Sequence, residues 1–109
     1  MSSVTDLLKV DLVSASDKKV RLIWVQAVPV NNEDIGLFRN KIDNFIKYCS
    51  SGKIYKDNPE YKGLMPEVEV CFWDAVDGAI VDVLLEKQSS AAELGVAVVW
   101  RESAGDGLL

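Results

Sequence analysis

Glu67 and Glu69 are the residues whose types and spacing come closest to a catalytic pair. On an extended segment they share one face and lie about 7 Å apart. Such a pair could act on a glycoside or hold a hard cation, and Asp74 could contribute a further carboxylate. The alternative is a solvent-facing strand with Glu at alternate positions. We favour this alternative because any strand with one apolar and one polar face places its polar residues at alternate positions.

The two cysteines are predicted to be structural. Cys71 shares the face of Glu67 and Glu69, and negative neighbours raise the pKa of a thiol, whereas a reactive thiol needs a cationic or helix-terminal setting. Cys49 ends an apolar helical stripe. Their separation matches no zinc motif, and the chain contains no histidine. Both are therefore expected to be small buried hydrophobes.

Histidine-dependent chemistry is excluded because the chain has no histidine. The seven glycines are scattered and form no phosphate-binding loop. We predict no catalytic residue, no metal site and no cofactor, and we expect that the protein is not an enzyme.

Three tryptophans form the remaining candidate site. Each falls near the C-terminal end of a predicted strand, so parallel strands would gather the rings at one sheet edge, beside the carboxylates. Such a cluster could bind a partner or an apolar or cationic ligand. The alternative, which we favour, is that the rings fill the core or seal the sheet edge. The predicted partner or ligand face comprises Trp24, Glu67, Glu69, Trp73 and Trp100.

Composition limits the class of protein. The chain has 109 residues, 49% of them apolar, which is enough for one domain with its own core. Its net charge of −5 disfavours nucleic-acid binding. The N-terminus does not resemble a signal peptide, and no apolar run approaches the ~20 residues that span a bilayer. We expect a cytoplasmic protein with no membrane contact.

The first helix has the clearest periodicity in the sequence. Its apolar side chains form one stripe: Ile35, Phe38, Ile42, Phe45, Ile46 and Cys49. The polar side chains between them are expected to face water: Arg39, Lys41, Asp43, Asn44 and Lys47. Gly52 is expected to end the helix in the left-handed conformation. The connection from 53 to 66 holds too many apolar residues for a free loop, so we expect it to pack onto the domain.

The second helix competes with a hairpin. Asp77-Gly78 between two apolar runs is a hairpin signal, whereas Asp74 could cap a helix whose apolar residues then fall on one face. We choose the helix, with Gly95 at its end. Strands are predicted at 7–14, 19–27, 67–73 and 96–101, and helices from Asn31 or Asn32 to Gly52 and from about Ala75 to Leu94.

These elements predict a two-layer α+β fold in one domain, residues 1–109, with 102–109 as a loose tail. The order is β-β-α-β-α-β. Right-handed crossovers would place strands two, three and four side by side in a four-stranded mixed sheet with both helices on one face. The other face would be half covered.

The segment from Asp11 to Gly63 resembles a family of small bacterial proteins of unknown function. The resemblance rests on a hairpin, a helix of the form K-I-x-x-F-x-x-Y and an S-G-x-I-Y segment, and it extends to Gly95. It supports the fold and implies no activity. This sequence departs from the pattern at its second strand: the family tends to have an Asp and a Trp in the turn after that strand, whereas here Trp24 is inside the strand and Pro29 follows. The chain also resembles compact products of mobile gene cassettes. The matching residues are Asp11, Val20, Leu22, Phe38, Lys41, Ile42, Phe45, Tyr48, Ser51, Gly52, Ile54, Tyr55 and Pro59.

Three functions remain open at this point. The first is a non-enzymatic interaction module, a homodimer or a binder of another protein, that uses the uncovered sheet face. The second is an acidic immunity or inhibitor protein that neutralises a basic toxin. The third, which we favour least, is an enzyme that depends on its carboxylates.

Overall fold

A computed structural model describes residues 12–26, 30–73 and 76–102 of the chain. Within these residues, four strands form one sheet: β1 (Leu12–Ala15), β2 (Lys19–Gln26), β3 (Met65–Phe72) and β4 (Ala97–Glu102). The described α-helices are α1 (Ile35–Ser50), α2 (Lys53–Asp57) and α3 (Gly78–Glu93). Single 3₁₀ turns occupy Asn32–Asp34 and Pro59–Tyr61.

The predicted α+β class and the order β-β-α-β-α-β are confirmed, with α2 as an additional short helix. Some predicted features lie outside the described residues: strand residues 7–11, the strand end at Ala27, Pro29, the Asp74 cap, and tail residues 103–109.

The strands lie in the order β1-β2-β3-β4. The hairpin pairs β1 with β2 antiparallel, and β3 is parallel to both β2 and β4. Each parallel connection passes through a helix, and such crossovers are right-handed in nearly all proteins. Because both crossovers advance in the same direction across the sheet, α1 and α3 lie on the same face. We call this the helix face and the opposite side the reverse face.

The core lies between the helix face and the two long helices. Alternate residues of β2, β3 and β4 contribute to it, since successive side chains of a strand point to opposite faces. Trp24 is fully buried there, and its ring centroid lies 5.1 Å from that of Phe38 and 5.9 Å from that of Phe45. Phe38 also contacts Phe72 of β3, with centroids 6.0 Å apart. Tilted aromatic contacts of this kind add to the stability gained from burial.

Asp77-Gly78 begins a helix and does not turn a hairpin. Gly78 is the first residue of α3, about three residues after the predicted start at Ala75, and Asp77 is the N-cap in an extended conformation. The helix ends as its sequence predicts: Gly95 has a φ of 78°, and the Val96 amide donates to the carbonyl of Ala91. This hydrogen bond satisfies one of the carbonyls that a helix end leaves free.

The connection after α1 packs onto the domain, as its apolar content predicts. Gly52 takes a φ of 82°, which reverses the chain and starts α2. Ile54 is fully buried, and Tyr55 donates through its hydroxyl to the carbonyl of Leu64 at 2.6 Å. Tyr61 packs partly buried against the core.

Replacing Gly95 and Gly36 by alanine should change stability in opposite directions. A Cβ at Gly95 meets open space but must adopt the left-handed region, so Gly95→Ala should lower the free energy of unfolding by about 1 kcal/mol. Gly36 lies within α1 and also faces open space, so Gly36→Ala should raise it by up to about 1 kcal/mol. Urea unfolding followed by tryptophan fluorescence measures both. Changes of the same sign would contradict the assignment.

Candidate functional site

The reverse face carries an ionic cluster centred on β3. Arg21 lies directly opposite Glu67 in the sheet register, and its Nε donates to Oε2 at 2.5 Å. Lys19 Nζ approaches Oε1 of the same carboxylate at 3.4 Å. Glu69 lies between two guanidinium groups, with Arg21 Nη1 at 3.6 Å and Arg101 Nη2 at 4.0 Å. The cations of β2 and β4 therefore neutralise both carboxylates of the central strand.

The expectation that Glu67 and Glu69 are solvent-facing is wrong. Their exposed fractions are 6% and 8%, respectively. Alternation correctly predicted which face they occupy, but the cations on the neighbouring strands allow them to be buried. A buried carboxylate without such partners would be strongly destabilising.

Cys71 continues this cluster along β3. It is fully buried, its thiol donates to Glu69 Oε2 at 3.2 Å, and Arg101 Nε donates to its sulfur at 3.4 Å. Burial is the main cause that raises the pKa of the thiol, and Glu69 raises it further while Arg101 lowers it. The predicted direction is confirmed, but burial, rather than the glutamates, is its main cause. A buried thiol with a raised pKa is a poor nucleophile.

The ionic cluster forms no metal site. Within residues 12–26, 30–73 and 76–102, no group of three or more Cys, Asp or Glu side chains is placed to hold an ion. The cations occupy the positions around Glu67 and Glu69 that an ion would take.

The three tryptophans do not form the predicted cluster beside the carboxylates. Trp24 and Trp100 lie on the helix face, on either side of Val70 in the register. Trp24 is fully buried and Trp100 packs partly buried against the core. Trp73 follows β3 and is 39% exposed. Side chains alternate between the two faces of a strand. Trp24 and Trp100 therefore lie on the opposite side of the sheet from Glu67 and Glu69.

Lys41 is a buried cation that the sequence analysis placed in water. Its side chain is fully buried, and Nζ lies 4.3 Å from the centroid of the Trp24 ring. The Trp24 indole in turn donates to Gln26 Oε1 at 2.9 Å. Helical spacing could have revealed this position, because residue 41 is three after Phe38 and four before Phe45. A cation over an aromatic face is stabilised further when both are removed from water.

A groove on the helix face adjoins β1, and we call it the β1 groove. Its volume is about 380 Å³. Leu22, Phe45 and Ile54 are buried lining residues. Val13 forms the β1 side and is 48% exposed, although it lies opposite the buried Leu22 in the register. Neither crossover helix connects to β1, so within residues 12–26, 30–73 and 76–102 no long helix covers that strand and the groove stays open.

Hydrogen bonds hold the helical side of the β1 groove in place. The Tyr48 hydroxyl donates to Asp57 Oδ2 at 3.0 Å and accepts from Asn58 Nδ2 at 3.4 Å. Asn58 Nδ2 also donates to the carbonyl of Ile54 at 3.0 Å. Burial, and then the bond to Asp57, raises the pKa of Tyr48, so its hydroxyl keeps its proton at neutral pH. These contacts join the end of α1 to α2.

Comparison with known proteins identifies the family. The chain matches the model of a family of unknown function, DUF6572, over residues 2–104, and it therefore belongs to that family. This agrees with the predicted family of unknown function, while the particular motif and the gene-cassette likeness stay predictions. A search of functionally curated proteins finds no match. None of the helices in the described residues is both long and apolar enough to cross a bilayer.

Two arginine–glutamate pairs offer a matched test of the ionic cluster. Arg21→Ala removes the guanidinium that contacts both buried glutamates, so it should lower the free energy of unfolding by about 1–3 kcal/mol. Arg39→Ala breaks a pair whose side chains are 41% and 55% exposed, so its cost should stay below about 1 kcal/mol. Equal losses in denaturant unfolding would show that the reverse-face carboxylates are not effectively buried.

The Cys49 thiol should make the fold less stable at high pH. Burial raises its pKa to about 11, compared with about 8.5 for an exposed thiol. Between these values the unfolded chain loses the proton and the folded chain keeps it, so stability falls as the pH rises. Between pH 8 and pH 10.5, the free energy of unfolding measured in urea should fall further in the original protein than in the Cys49→Ala variant. The difference between the two decreases should be on the order of 2 kcal/mol. Cys71 is present in both proteins, so its own titration cancels in the comparison. Identical pH dependences of the two proteins would contradict the burial of Cys49.

Proposed function

We propose that this protein is a non-enzymatic binding module that holds a small, largely apolar ligand in the β1 groove. The observation that carries the proposal is the groove itself, with its volume of about 380 Å³ and its buried apolar lining. Ligand sites usually have volumes of roughly 300–1,000 Å³ and apolar walls with a few polar groups. An apolar cavity of about 150 Å³ is enough for benzene, so this groove has room for a bicyclic ring.

The groove is formed before any ligand arrives. The Tyr48 hydroxyl donates to Asp57 and accepts from Asn58, and these two bonds position α2 beside the groove. Leu22 and Phe45 belong to the core cluster, so their positions are set by packing with the rest of the domain. A site that needs little reorganisation loses less conformational entropy on binding.

The chemistry of the described residues supports binding rather than catalysis. Glu67, Glu69 and Cys71 are buried on the reverse face, and the sheet separates them from the β1 groove. Their polar atoms are engaged with Arg21 and Arg101. In the groove itself, the Tyr48 hydroxyl is held by Asp57, and its raised pKa makes it a hydrogen-bonding group rather than a general base.

The reverse face supports a docking role less well than the β1 groove does. Its central positions on β3 are buried, so they offer no bare surface to a partner. On β3, the exposed apolar side chains Met65 and Trp73 stand at or just beyond the two ends of the strand, with the buried positions between them. The exposed large apolar side chains of the described residues are Val13, Met65, Trp73, Leu85 and Leu94. A homodimer or another protein partner on the reverse face therefore stays a prediction, and the groove carries the proposal.

A neutral aromatic alcohol, 2-naphthaleneethanol, should bind in the groove with a dissociation constant of about 1 mM. Two-dimensional amide NMR should show shifts that concentrate at Phe45, Tyr48 and Ile54. Val13→Trp should weaken binding at least fivefold, because the indole fills the groove from the β1 side.

Ser14→Trp is the matched control. Ser14 is exposed on the same strand but points to the reverse face, opposite Arg21 in the register. It should leave the affinity within twofold of the original. Shifts that avoid the groove residues, or equal losses in the two variants, would overturn the proposed site, and thermal melts verify that both variants fold.

A further inference from the structure

We infer that the ligand of the β1 groove is a small apolar monocarboxylate whose carboxylate binds Lys53 while its apolar body packs against Leu22, Phe45 and Ile54. The inference rests on the proposed function and adds the chemical class of the ligand. It follows from Lys53, the one cationic side chain among the described residues that line the groove.

Lys53 is available to an anion. It is exposed and lines the groove, and none of the ion pairs among the described residues involves its Nζ. The nearest carboxylate along α2 is Asp57, which accepts the Tyr48 hydroxyl through Oδ2. By contrast, Arg39 and Lys87 pair with carboxylates across the α1–α3 contact. The groove cation is thus left for a ligand.

The surroundings of the groove favour an anion, although the whole chain is acidic. Residues 47–62 carry four lysines against two carboxylates, while the net charge of the chain is −5. Local charge determines the potential that an approaching ligand meets within about 10 Å at ordinary ionic strength. The lysines of this segment are Lys47, Lys53, Lys56 and Lys62, and its carboxylates are Asp57 and Glu60.

The groove lining offers one cationic side chain amid apolar and neutral groups, which indicates a ligand with one carboxylate rather than a phosphate. A phosphate needs several strong donors, often the paired donors of an arginine, and no arginine is found in the part of the lining that the structure describes. The remaining lining polar groups are Asn44, Asn58 and the tyrosine hydroxyls, which are neutral. A second negative charge would lie against Leu22, Phe45 or Ile54 and would lose its hydration without a partner. A single ammonium matches a monoanion with an apolar body.

The test compares 2-naphthaleneacetate with 2-naphthaleneethanol, which have the same ring system and differ in charge. We expect the acid to bind the original protein about three- to fivefold more tightly in low salt, as for one partly exposed ion pair. The ratio should decline towards one as sodium chloride is raised. Lys53→Met should abolish the preference while it retains affinity for the alcohol.

Lys56→Met is the matched control, because Lys56 is exposed on the same short helix but does not line the groove. It should keep the preference. If the alcohol binds in the groove but the acid binds no more tightly, or if Lys53→Met keeps the preference, the inference is overturned and the proposed function stands. If neither probe shifts the groove residues, both fail. Amide spectra verify that each variant is folded.

Discussion

The direction of the two crossovers is the constraint on which the other features depend. The chain passes from β2 to β3 through α1 and from β3 to β4 through α3, moving the same way each time. Because such connections have one hand, both long helices cover the same face. The remaining strand, β1, joins by a hairpin, and none of the described helices connects to it. Val13 therefore stays half exposed beside its buried cross-strand neighbour Leu22. The β1 groove is a consequence of this topology, and α2 borders it.

The central strand β3 shows how a small sheet buries charge. Its helix face is apolar, whereas its reverse face presents Glu67 and Glu69 to cations from both neighbouring strands. Opposite charges across strands are an effective way to keep such residues buried, because each carboxylate retains hydrogen-bonding partners. Lys41 is the counterpart on the helix face, where the Trp24 ring receives its ammonium group. Charged residues are therefore part of the interior on both sides of the sheet.

This arrangement separates the residues whose types could do chemistry from the proposed ligand site. Glu67 and Cys71 have structural partners, while the β1 groove is lined by residues with ordinary chemistry, such as Phe45 and Ile54. Membership of a family of unknown function adds no activity, and the proposed binding site is defined by the shape, burial and charge of the groove. The net negative charge of the chain would repel an anion, whereas the positive local charge near Lys53 attracts one. At short range the local charge dominates, because salt screens the more distant charges.

The sequence by itself determined the elements, the class of fold and the faces of the strands, because periodicity reports which side of its own helix or strand a residue occupies. It also determined the left-handed glycines at positions 52 and 95. The prediction that Lys41 faces water is wrong. It followed from the charge of the side chain, whereas the helical spacing puts position 41 on the apolar stripe. Only the tertiary structure decided that Glu67 is buried, since its cation comes from another strand through the register. The groove was equally hidden, because its lining runs from Val13 to Tyr61 and meets only when strand order and packing bring those segments together.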